Sequence, residues 1–406
     1  MSTNQPAAHG TEQSTGQKTS PAYQSGDSLS FLEASSLIMG AGVGGGIMAV
    51  PYLASRPGPT VFIIVLAVAY LVNLALHLML VEVLFRDGRD LQILELAKAY
   101  VFRGRFGRPL VWILFAVLLV SFVANLTAYI SGAGDIFAEI LGLRPLPARL
   151  VLYGLSAGVV YLGLKAIGMA EKLALGGIAA IIILLVTGVH GYVLPFGIKA
   201  SGGWEATLGL YGMVMYGLYA FFAVPQVVRG LRWSPRLVAP AIATGLGMNA
   251  FLTLFLTILA LGLPGEPTEV AVIGIARSST PLSGTAAMVF IILAMLTSYW
   301  SVSLALRDIV LERTGLRPRL AWLLVTLPTL GLIIYGRLGF LEYLKIAGGI
   351  TGLVVVFLTL PMYLQARKLP LPASAPPALG GIMRPWVMGL LLVGMLLMAI
   401  GSLLGV

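Results

Sequence analysis

Long apolar segments, separated by short polar ones, follow one another along the chain from residue 31 onward. Apolar segments of about 20 residues are long enough to cross a bilayer as helices. The pattern therefore predicts an all-α polytopic membrane protein with eleven transmembrane helices. The predicted spans cover residues 31–54, 59–84, 109–133, 147–164, 170–194, 205–228, 236–263, 283–306, 319–336, 341–365 and 385–405.

The composition supports this prediction, because 58% of the residues are hydrophobic, 10% are charged and the mean hydropathy is +0.95. Cysteine is absent, which excludes a disulfide framework, a thiol nucleophile and a thiolate metal site. The histidines His9, His77 and His190 lack the paired spacing of a zinc site. The sequence also lacks paired catalytic carboxylates and a nucleophile–histidine pair. We therefore expect neither an enzyme nor a bound cofactor.

The net charge of +10 is unevenly distributed among the loops. With the N-terminus in the cytoplasm, most Lys and Arg residues fall in cytoplasmic segments, as the positive-inside rule requires. This orientation puts the C-terminus outside and predicts a multi-pass protein of the cell inner (plasma) membrane. The preference of Lys and Arg for the cytoplasmic side of the lipid bilayer then explains the positive net charge, so we expect no nucleic-acid partner. The long outer loop at 264–282 is either a lid over an outer vestibule or a plain connector.

Two regions are predicted, a polar tail at residues 1–28 and a transmembrane domain at residues 29–406. The tail has no apolar run, so we expect a disordered cytoplasmic tail and not a signal peptide. Ser30 and Glu33 fit a capping box, which predicts the start of the first helix. Residues 88–102 mix polar and apolar positions and predict an amphipathic helix at the membrane surface. No pattern predicts an oligomeric state.

The first span contains a stretch that is unsuited to a continuous helix. Residues 39–51 hold five glycines and a proline, and both residue types disfavour helix interiors. In a bilayer an interrupted helix is tolerated where it is buried in protein or lines a polar cavity. The stretch therefore predicts two half-helices with free backbone groups between them, although its GxxxG spacing would also suit close helix packing.

A second interruption is predicted in the sixth span, at residues 216–225. Its last three residues, Ala-Val-Pro at 223–225, repeat the Ala-Val-Pro at 49–51 of the first span. Interrupted helices at corresponding places in two halves indicate an inverted repeat with a binding site between them. We therefore expect the binding site between spans one and six.

These stretches resemble motifs of the amino acid–polyamine–organocation superfamily. The octapeptide at 44–51 is similar to its first-helix motif, while AFFAVPQ at 220–226 and FLTLP at 357–361 resemble its amino acid/auxin permease branch, the aromatic and neutral amino acid permeases. The resemblance covers residues 30–406 and implies a 5+5 inverted-repeat, LeuT-like fold with discontinuous helices 1 and 6. It places the repeats at about 31–194 and 205–365 and a peripheral helix at 385–405.

The resemblance also implies that the substrate lies between the two breaks. A zwitterionic amino acid suits this place, because its carboxylate can bind amides of the first break and its ammonium carbonyls of the second. No Asp or Glu lies near the second break, which predicts a neutral substrate, and the aromatic residues there favour a hydrophobic or aromatic one. The candidate substrate-binding residues are Gly44, Gly45, Gly46, Ile47, Asn125, Tyr129, Tyr216, Gly217, Tyr219 and Ala220.

Span eight carries adjacent hydroxyl groups at Thr297 and Ser298. By resemblance to sodium-coupled members, these hydroxyls and the Ala294 carbonyl would join the carbonyls of Gly40 and Val43 in a sodium site. Five oxygen ligands suit a hard monovalent cation. The alternative is that both hydroxyls bond the backbone of their own helix.

Protons are the other candidate coupling ion, with Glu82 and His77 of span two as candidate carriers. Glu82 lies four residues before Arg86, so an interfacial ion pair is its alternative role, while His77 could be a hydrogen-bonded packing residue. Proton-coupled relatives can carry a lysine in mid-span five at the cation position. No lysine follows Lys172 in that span, which favours sodium.

Together these features predict a secondary transporter that imports neutral amino acids by cation-coupled symport and alternating access. The alternative is a receptor of the same fold, such as the germinant-sensing permease-like subunits of spore formers, which binds an amino acid without net transport. Asp308, Arg307 and Glu312, at the inner end of span eight, are expected to form a solvated helix end rather than a gate.

Overall fold

The computed structural model describes residues 28–188, 191–197, 201–263, 280–373, 375, 379 and 382–404. All regular elements within these residues are helical, which confirms the predicted fold class. The predicted tail up to residue 27, most of the outer loop at 264–282 and His190 lie outside the described residues.

The helices form eleven spans when the bent pair at the start of the chain counts as one. Span one consists of Phe31–Gly42 and Gly45–Ala54, and span six of Trp204–Gly217 and Val224–Gly230. The other spans, in chain order, are Pro59–Asp87, Gly107–Leu141, Pro145–Leu162, Leu164–Gly188, Val238–Leu261, Pro281–Thr314, Pro318–Tyr335, Phe340–Ala366 and Pro385–Leu404. Their lengths and apolar composition are those of a multi-pass membrane protein.

The start of span one and the surface segment follow the sequence prediction. The Ser30 hydroxyl accepts a hydrogen bond from the Glu33 amide at 3.3 Å, and the Ser30 amide donates to the Glu33 carboxylate at 2.8 Å, which confirms the capping box. A helix forms at Ile93–Tyr100, between spans two and three. Burial raises the pKa of Tyr100 to about 12, and its hydroxyl donates to Asp87 at 2.8 Å.

Three spans have a boundary that differs by more than five residues from the predicted one, and one of them is span eight, which ends at Thr314 instead of residue 306. Span three continues to Leu141, well past the predicted end at 133, and ends where Gly142 adopts φ 63°. Span five begins at Leu164 rather than at residue 170. Glu171 therefore lies about two helical turns inside span five instead of at its edge.

The two broken spans lie at the centre of the packing. The halves of span one meet at an angle of 56°. The first half packs against spans five, seven and eight, and the second half packs against the first half of span six. Span three packs along spans eight and ten, while span eleven packs along the first half of span six. The breaks are therefore enclosed by protein, as interrupted helices in a bilayer require.

Candidate functional site

A cavity of about 40 Å³ lies where spans one and six meet spans three, eight and ten. Five of the predicted substrate-binding residues line the cavity, namely Asn125, Tyr129, Tyr216, Tyr219 and Ala220. Every residue that the structure describes in the lining is uncharged.

Aromatic rings from spans three and six form one wall of this cavity. Phe122 and Phe222 meet edge to face with ring centroids 4.7 Å apart. Tyr219 meets Phe222 edge to face at 5.9 Å and stacks on Phe221 at 5.8 Å. Such rings present a large apolar surface to a ligand while keeping their own geometry fixed.

A few polar groups face the same space. The Tyr216 hydroxyl donates to the Asn125 side-chain oxygen at 3.0 Å and so joins span six to span three. The Ser121 hydroxyl donates to the Ala347 carbonyl at 3.0 Å and lies 3.0 Å from the Thr351 hydroxyl. An apolar cavity with a few placed polar groups is the usual form of a small-molecule site.

The predicted glycines of the first break lie behind the cavity wall. A Cβ atom at Gly44 would lie 2.5 Å from the Tyr129 ring, and one at Gly46 would lie 2.6 Å from the Cα atom of Gly217. Ile47 is fully buried. The surroundings of Gly45 lie outside the described part of the structure. The glycines thus allow the half-helices to approach each other, which is the packing alternative noted from their spacing.

Two side chains from neighbouring spans bind the backbone of the second break. Asn249 of span seven donates to the Gly217 carbonyl at 2.8 Å. His77 of span two accepts a hydrogen bond at Nε2 from the Ala220 amide at 3.1 Å, while its Nδ1 lies 2.6 Å from the Asn73 carbonyl. Because a backbone amide can only donate, Nε2 is unprotonated and Nδ1 carries the hydrogen. These contacts favour the packing role of His77 over the proton carrier.

The other proton candidate, Glu82, is held by an ion pair. Its carboxylate lies 2.7 Å from the Arg86 guanidinium and also accepts from the Leu379 amide at 2.8 Å and the Tyr363 hydroxyl at 3.3 Å. The four-residue spacing of Glu82 and Arg86 thus produces an ion pair, which is the alternative role considered for Glu82. Proton transfer by Glu82 stays a prediction.

The oxygens of the predicted sodium site lie close together. The Ser298 hydroxyl donates to the Gly40 carbonyl at 2.6 Å and lies 3.2 Å from the Ala294 carbonyl. The Thr297 hydroxyl donates to the Ala294 carbonyl at 2.8 Å. Val43 and Thr297 line a small cavity between spans one, five and eight. Thr297 therefore bonds the backbone of its own helix, which was the alternative to a sodium ligand, whereas Ser298 reaches across to span one.

A buried carboxylate next to these oxygens was missed by the sequence analysis. Glu171 is 2% exposed, lines the small cavity and accepts a hydrogen bond from Ser301 at 2.6 Å. The carboxylate occupies the space where a Cβ atom of Gly40 would lie. With span five predicted to start at residue 170, Glu171 was expected at the edge of the span. The helix starts at Leu164, which puts this acid inside the span.

The charged residues at one end of the molecule also differ from the prediction. This basic end, where Arg103, Lys165 and Arg313 lie, is the end at which span six finishes at Gly230. Asp308 is 5% exposed and pairs with Arg229 at 2.7 Å.

The expectation of a solvated helix end at Asp308 was therefore wrong. Arg307 does not join the pair, because its guanidinium donates to the Val160 carbonyl at 2.9 Å. Glu312 accepts from the Gln92 amide at 2.8 Å. Span six supplies the partner, Arg229, which no spacing within span eight could indicate.

Comparisons with known proteins agree with this architecture. Residues 27–211 match the model of the tryptophan/tyrosine permease family. The structure resembles that of MhsT in complex with L-phenylalanine, with a TM-score of 0.61 and 16% sequence identity over 93% of this chain and 99% of MhsT.

A second similar structure is Mhp1, a nucleobase-cation-symport-1 family transporter, in a closed conformation with bromovinylhydantoin bound. Its TM-score is 0.63 and its identity 12%, over 93% of this chain and 91% of Mhp1. No curated protein matches the chain in sequence.

The fold is therefore that of these transporters, and the resemblance to the superfamily is confirmed, while the branch stays a prediction. Together, the permease match and the fold indicate a transporter and not an enzyme.

Proposed function

We propose that this chain is a secondary active transporter that imports neutral amino acids, and in particular those with a hydrophobic or aromatic side chain. Its mechanism is alternating access coupled to a cation, sodium in preference to protons. The observation that carries the proposal is the cavity at the two breaks, whose described lining is aromatic and uncharged. A cationic or anionic side chain would find no counter-charge there, and burying an unpaired charge is expensive.

The chemistry of the cavity wall supports an aromatic substrate. Phe122, Tyr219 and Phe222 can stack around a second ring, and edge-to-face contacts of this kind add to the apolar burial. The family match over residues 27–211 is to tryptophan/tyrosine permeases, and MhsT binds L-phenylalanine within a similar fold. The carboxylate and ammonium of the substrate would be bound by the amide, hydroxyl and backbone groups near Asn125 and Ala220.

Sodium coupling is supported by the oxygens between spans one and eight. The Gly40 and Ala294 carbonyls and the hydroxyls of Thr297 and Ser298 are grouped within hydrogen-bonding distance of one another. Groups of carbonyl and hydroxyl oxygens are the ligands that hard cations bind. Alternating access would then move the substrate and cation together past the breaks.

The test is uptake of labelled L-phenylalanine by proteoliposomes that contain the purified chain. We expect uptake to follow an inward sodium gradient and to be inhibited by unlabelled tryptophan and tyrosine but not by lysine or glutamate. Phe222→Ala removes part of the cavity wall and should weaken apparent affinity about tenfold, the effect of losing roughly 1.4 kcal/mol of contact.

The matched control is Phe251→Ala, because the side chain of Phe251 in span seven is 64% exposed at the periphery of the protein, away from the cavity wall. This variant should transport like the wild type. Binding of L-phenylalanine without uptake or counterflow would favour the receptor instead. Uptake that follows a proton gradient and ignores sodium would refute the sodium preference.

A further inference from the structure

The small cavity between spans one, five and eight contains a carboxylate that the proposed function does not use. Glu171 of span five is 2% exposed and points toward span one, beside Gly40. Its carboxylate accepts one hydrogen bond from Ser301 at 2.6 Å. Within the described residues no Lys or Arg side chain forms an ion pair with it.

A carboxylate without a cationic partner is unusual inside a membrane protein. Ionisable residues at such positions are rare, because the cost of burying the charge must be offset, and they mark ion or substrate paths. The packing around Glu171 is specific, because its carboxylate fills the space that a side chain at position 40 would occupy. A residue at position 40 with a side chain would exclude the carboxylate from this place.

A second side chain in the same cavity independently indicates a bound group. Ser36 of span one is 2% exposed, and its hydroxyl has no hydrogen-bond partner in the described structure. Ser36 and Gly40 lie one helical turn apart, so both face span five. Buried hydroxyls without partners are uncommon in native proteins, and an unseen ion is one of the explanations for them.

We propose that the coupling cation binds in this small cavity and that Glu171 and Ser36 are two of its ligands. The carboxylate of Glu171 supplies the negative charge, and the Ser36 hydroxyl and the oxygens of Gly40 and Thr297 complete the shell. The proposal rests on the proposed cation-coupled transport and adds a charged ligand from span five to the neutral oxygens of spans one and eight. A cation bound by one carboxylate leaves the buried site neutral, which removes most of the cost of burying either charge.

This arrangement also connects the cation to the substrate cavity. Ser301 lines the substrate cavity and donates to the Glu171 carboxylate, so one hydroxyl faces both sites. Ser298, one turn earlier on the same face of span eight, donates to the Gly40 carbonyl. A cation that binds the Glu171 carboxylate would compete with the bond from Ser301 and so change a group at the substrate wall.

The test measures thermal stability of the purified full chain in detergent, with sodium chloride replaced stepwise by potassium chloride at constant ionic strength and without amino acid. A ligand that binds the native state raises the unfolding temperature. We expect a sodium-specific rise for the wild type. Glu171→Gln should weaken the apparent sodium affinity at least about tenfold, because ligand charge tunes the affinity of cation sites. Glu139→Gln, at an exposed position of span three, is the matched control and should behave like the wild type.

Ser36→Ala provides a second measurement that does not depend on the charge. Removing a buried hydroxyl without partners should leave stability in potassium unchanged or slightly higher, while the sodium-specific rise should shrink. The control is Ser35→Ala, because the Ser35 hydroxyl bonds the Phe31 carbonyl of its own helix at 2.9 Å. This control should keep the full sodium response.

The outcomes separate this proposal from the proposed function. A wild-type sodium response that survives unchanged in Glu171→Gln and Ser36→Ala would overturn the two ligands but leave sodium coupling intact. Absence of any sodium response in the wild type would overturn both the cavity assignment and the sodium preference. Stabilisation by L-phenylalanine, measured in the same instrument, tests the amino acid site separately from the cation.

Discussion

At the scale of single residues, the second break depends on side chains that do not belong to span six. His77 and Asn249 reach it from spans two and seven and bind the Ala220 amide and the Gly217 carbonyl. Interrupting a helix exposes backbone groups that must find partners in a membrane. These two side chains satisfy one donor and one acceptor at the break, so they position the cavity wall without contacting a substrate.

Replacing His77 should therefore affect both stability and binding. His77→Phe keeps a ring of similar size but leaves the Ala220 amide without an acceptor, which costs about 1–3 kcal/mol for a buried group. We expect a lower unfolding temperature and about tenfold weaker binding of L-phenylalanine, measured by thermal shift titration. His77→Gln retains an acceptor and should lose less of both. Equal losses in the two variants would show that the hydrogen bond is unimportant.

The residues of the cavity wall were predictable from the fold that the family resemblance implies. Asn125, Tyr129, Tyr216, Tyr219 and Ala220 line the cavity because their places relative to the two breaks follow from the fold.

Glu171 and Ser36 were missed because their significance depends on neighbours from other spans. In sequence, one is an acid near an apolar run and the other is a serine in a helix. Sequence pattern alone does not show that both face the same small cavity.

At the scale of elements, the second half of span one closely approaches the first half of span six. Gly46 lies against the backbone of Gly217, so the halves can touch because Gly46 carries no side chain at that point. The sequence predicted both breaks correctly, since glycine and proline disfavour helix interiors. It also offered binding and packing as two uses of the glycines, and the structure places Gly46 in the packing role.

The contact predicts an asymmetry between two alanine substitutions. A Cβ atom at Gly46 would lie 2.6 Å from the Gly217 Cα atom, which is main chain and cannot move away cheaply. A Cβ atom at Gly217 would meet its nearest neighbour at 3.4 Å, an ordinary contact. Gly46→Ala should therefore destabilise the protein by about 1–3 kcal/mol, as overpacking does, and reduce uptake strongly.

The matched variant is Gly217→Ala, which should unfold within a few degrees of the wild type and still transport. Unfolding temperatures in detergent and initial uptake rates would be compared for both. If Gly46→Ala were as stable and active as Gly217→Ala, the two half-helices would not be in the contact described.

At the scale of the whole molecule, composition was enough to predict a multi-pass membrane protein, whereas its fold class followed from the resemblance of the two breaks to the superfamily's motifs. Span boundaries were less predictable, because an apolar run and its helix do not end together. Span three continues past its predicted end at 133 to Leu141, whereas span four ends before its predicted end at 164, at Gly163. Contacts between spans that are far apart in sequence, such as the ion pair of Arg229 with Asp308, cannot be inferred from the local sequence pattern.

That buried pair lies between the cavity and the basic end. Ala305, on the cavity wall, precedes Asp308 by one helical turn, and Arg229 lies near the end of span six. Removing one partner of a buried ion pair costs about 3–5 kcal/mol, because the other charge is left uncompensated. Asp308→Asn should therefore favour conformations in which the basic end is open.

The absence of cysteine allows a direct measurement of this opening. In an Ala305→Cys background, a membrane-impermeant maleimide applied from the basic side should label the cysteine at least about tenfold faster when Asp308→Asn is added, since 1.4 kcal/mol already corresponds to tenfold. The matched control is Asp135→Asn, which breaks the exposed pair of Asp135 with Arg149 at the opposite end. Exposed pairs contribute only about 0–1 kcal/mol, so this variant should label like its background. Equal labelling of the Asp308 and Asp135 variants would mean that the buried pair does not hold the basic end closed.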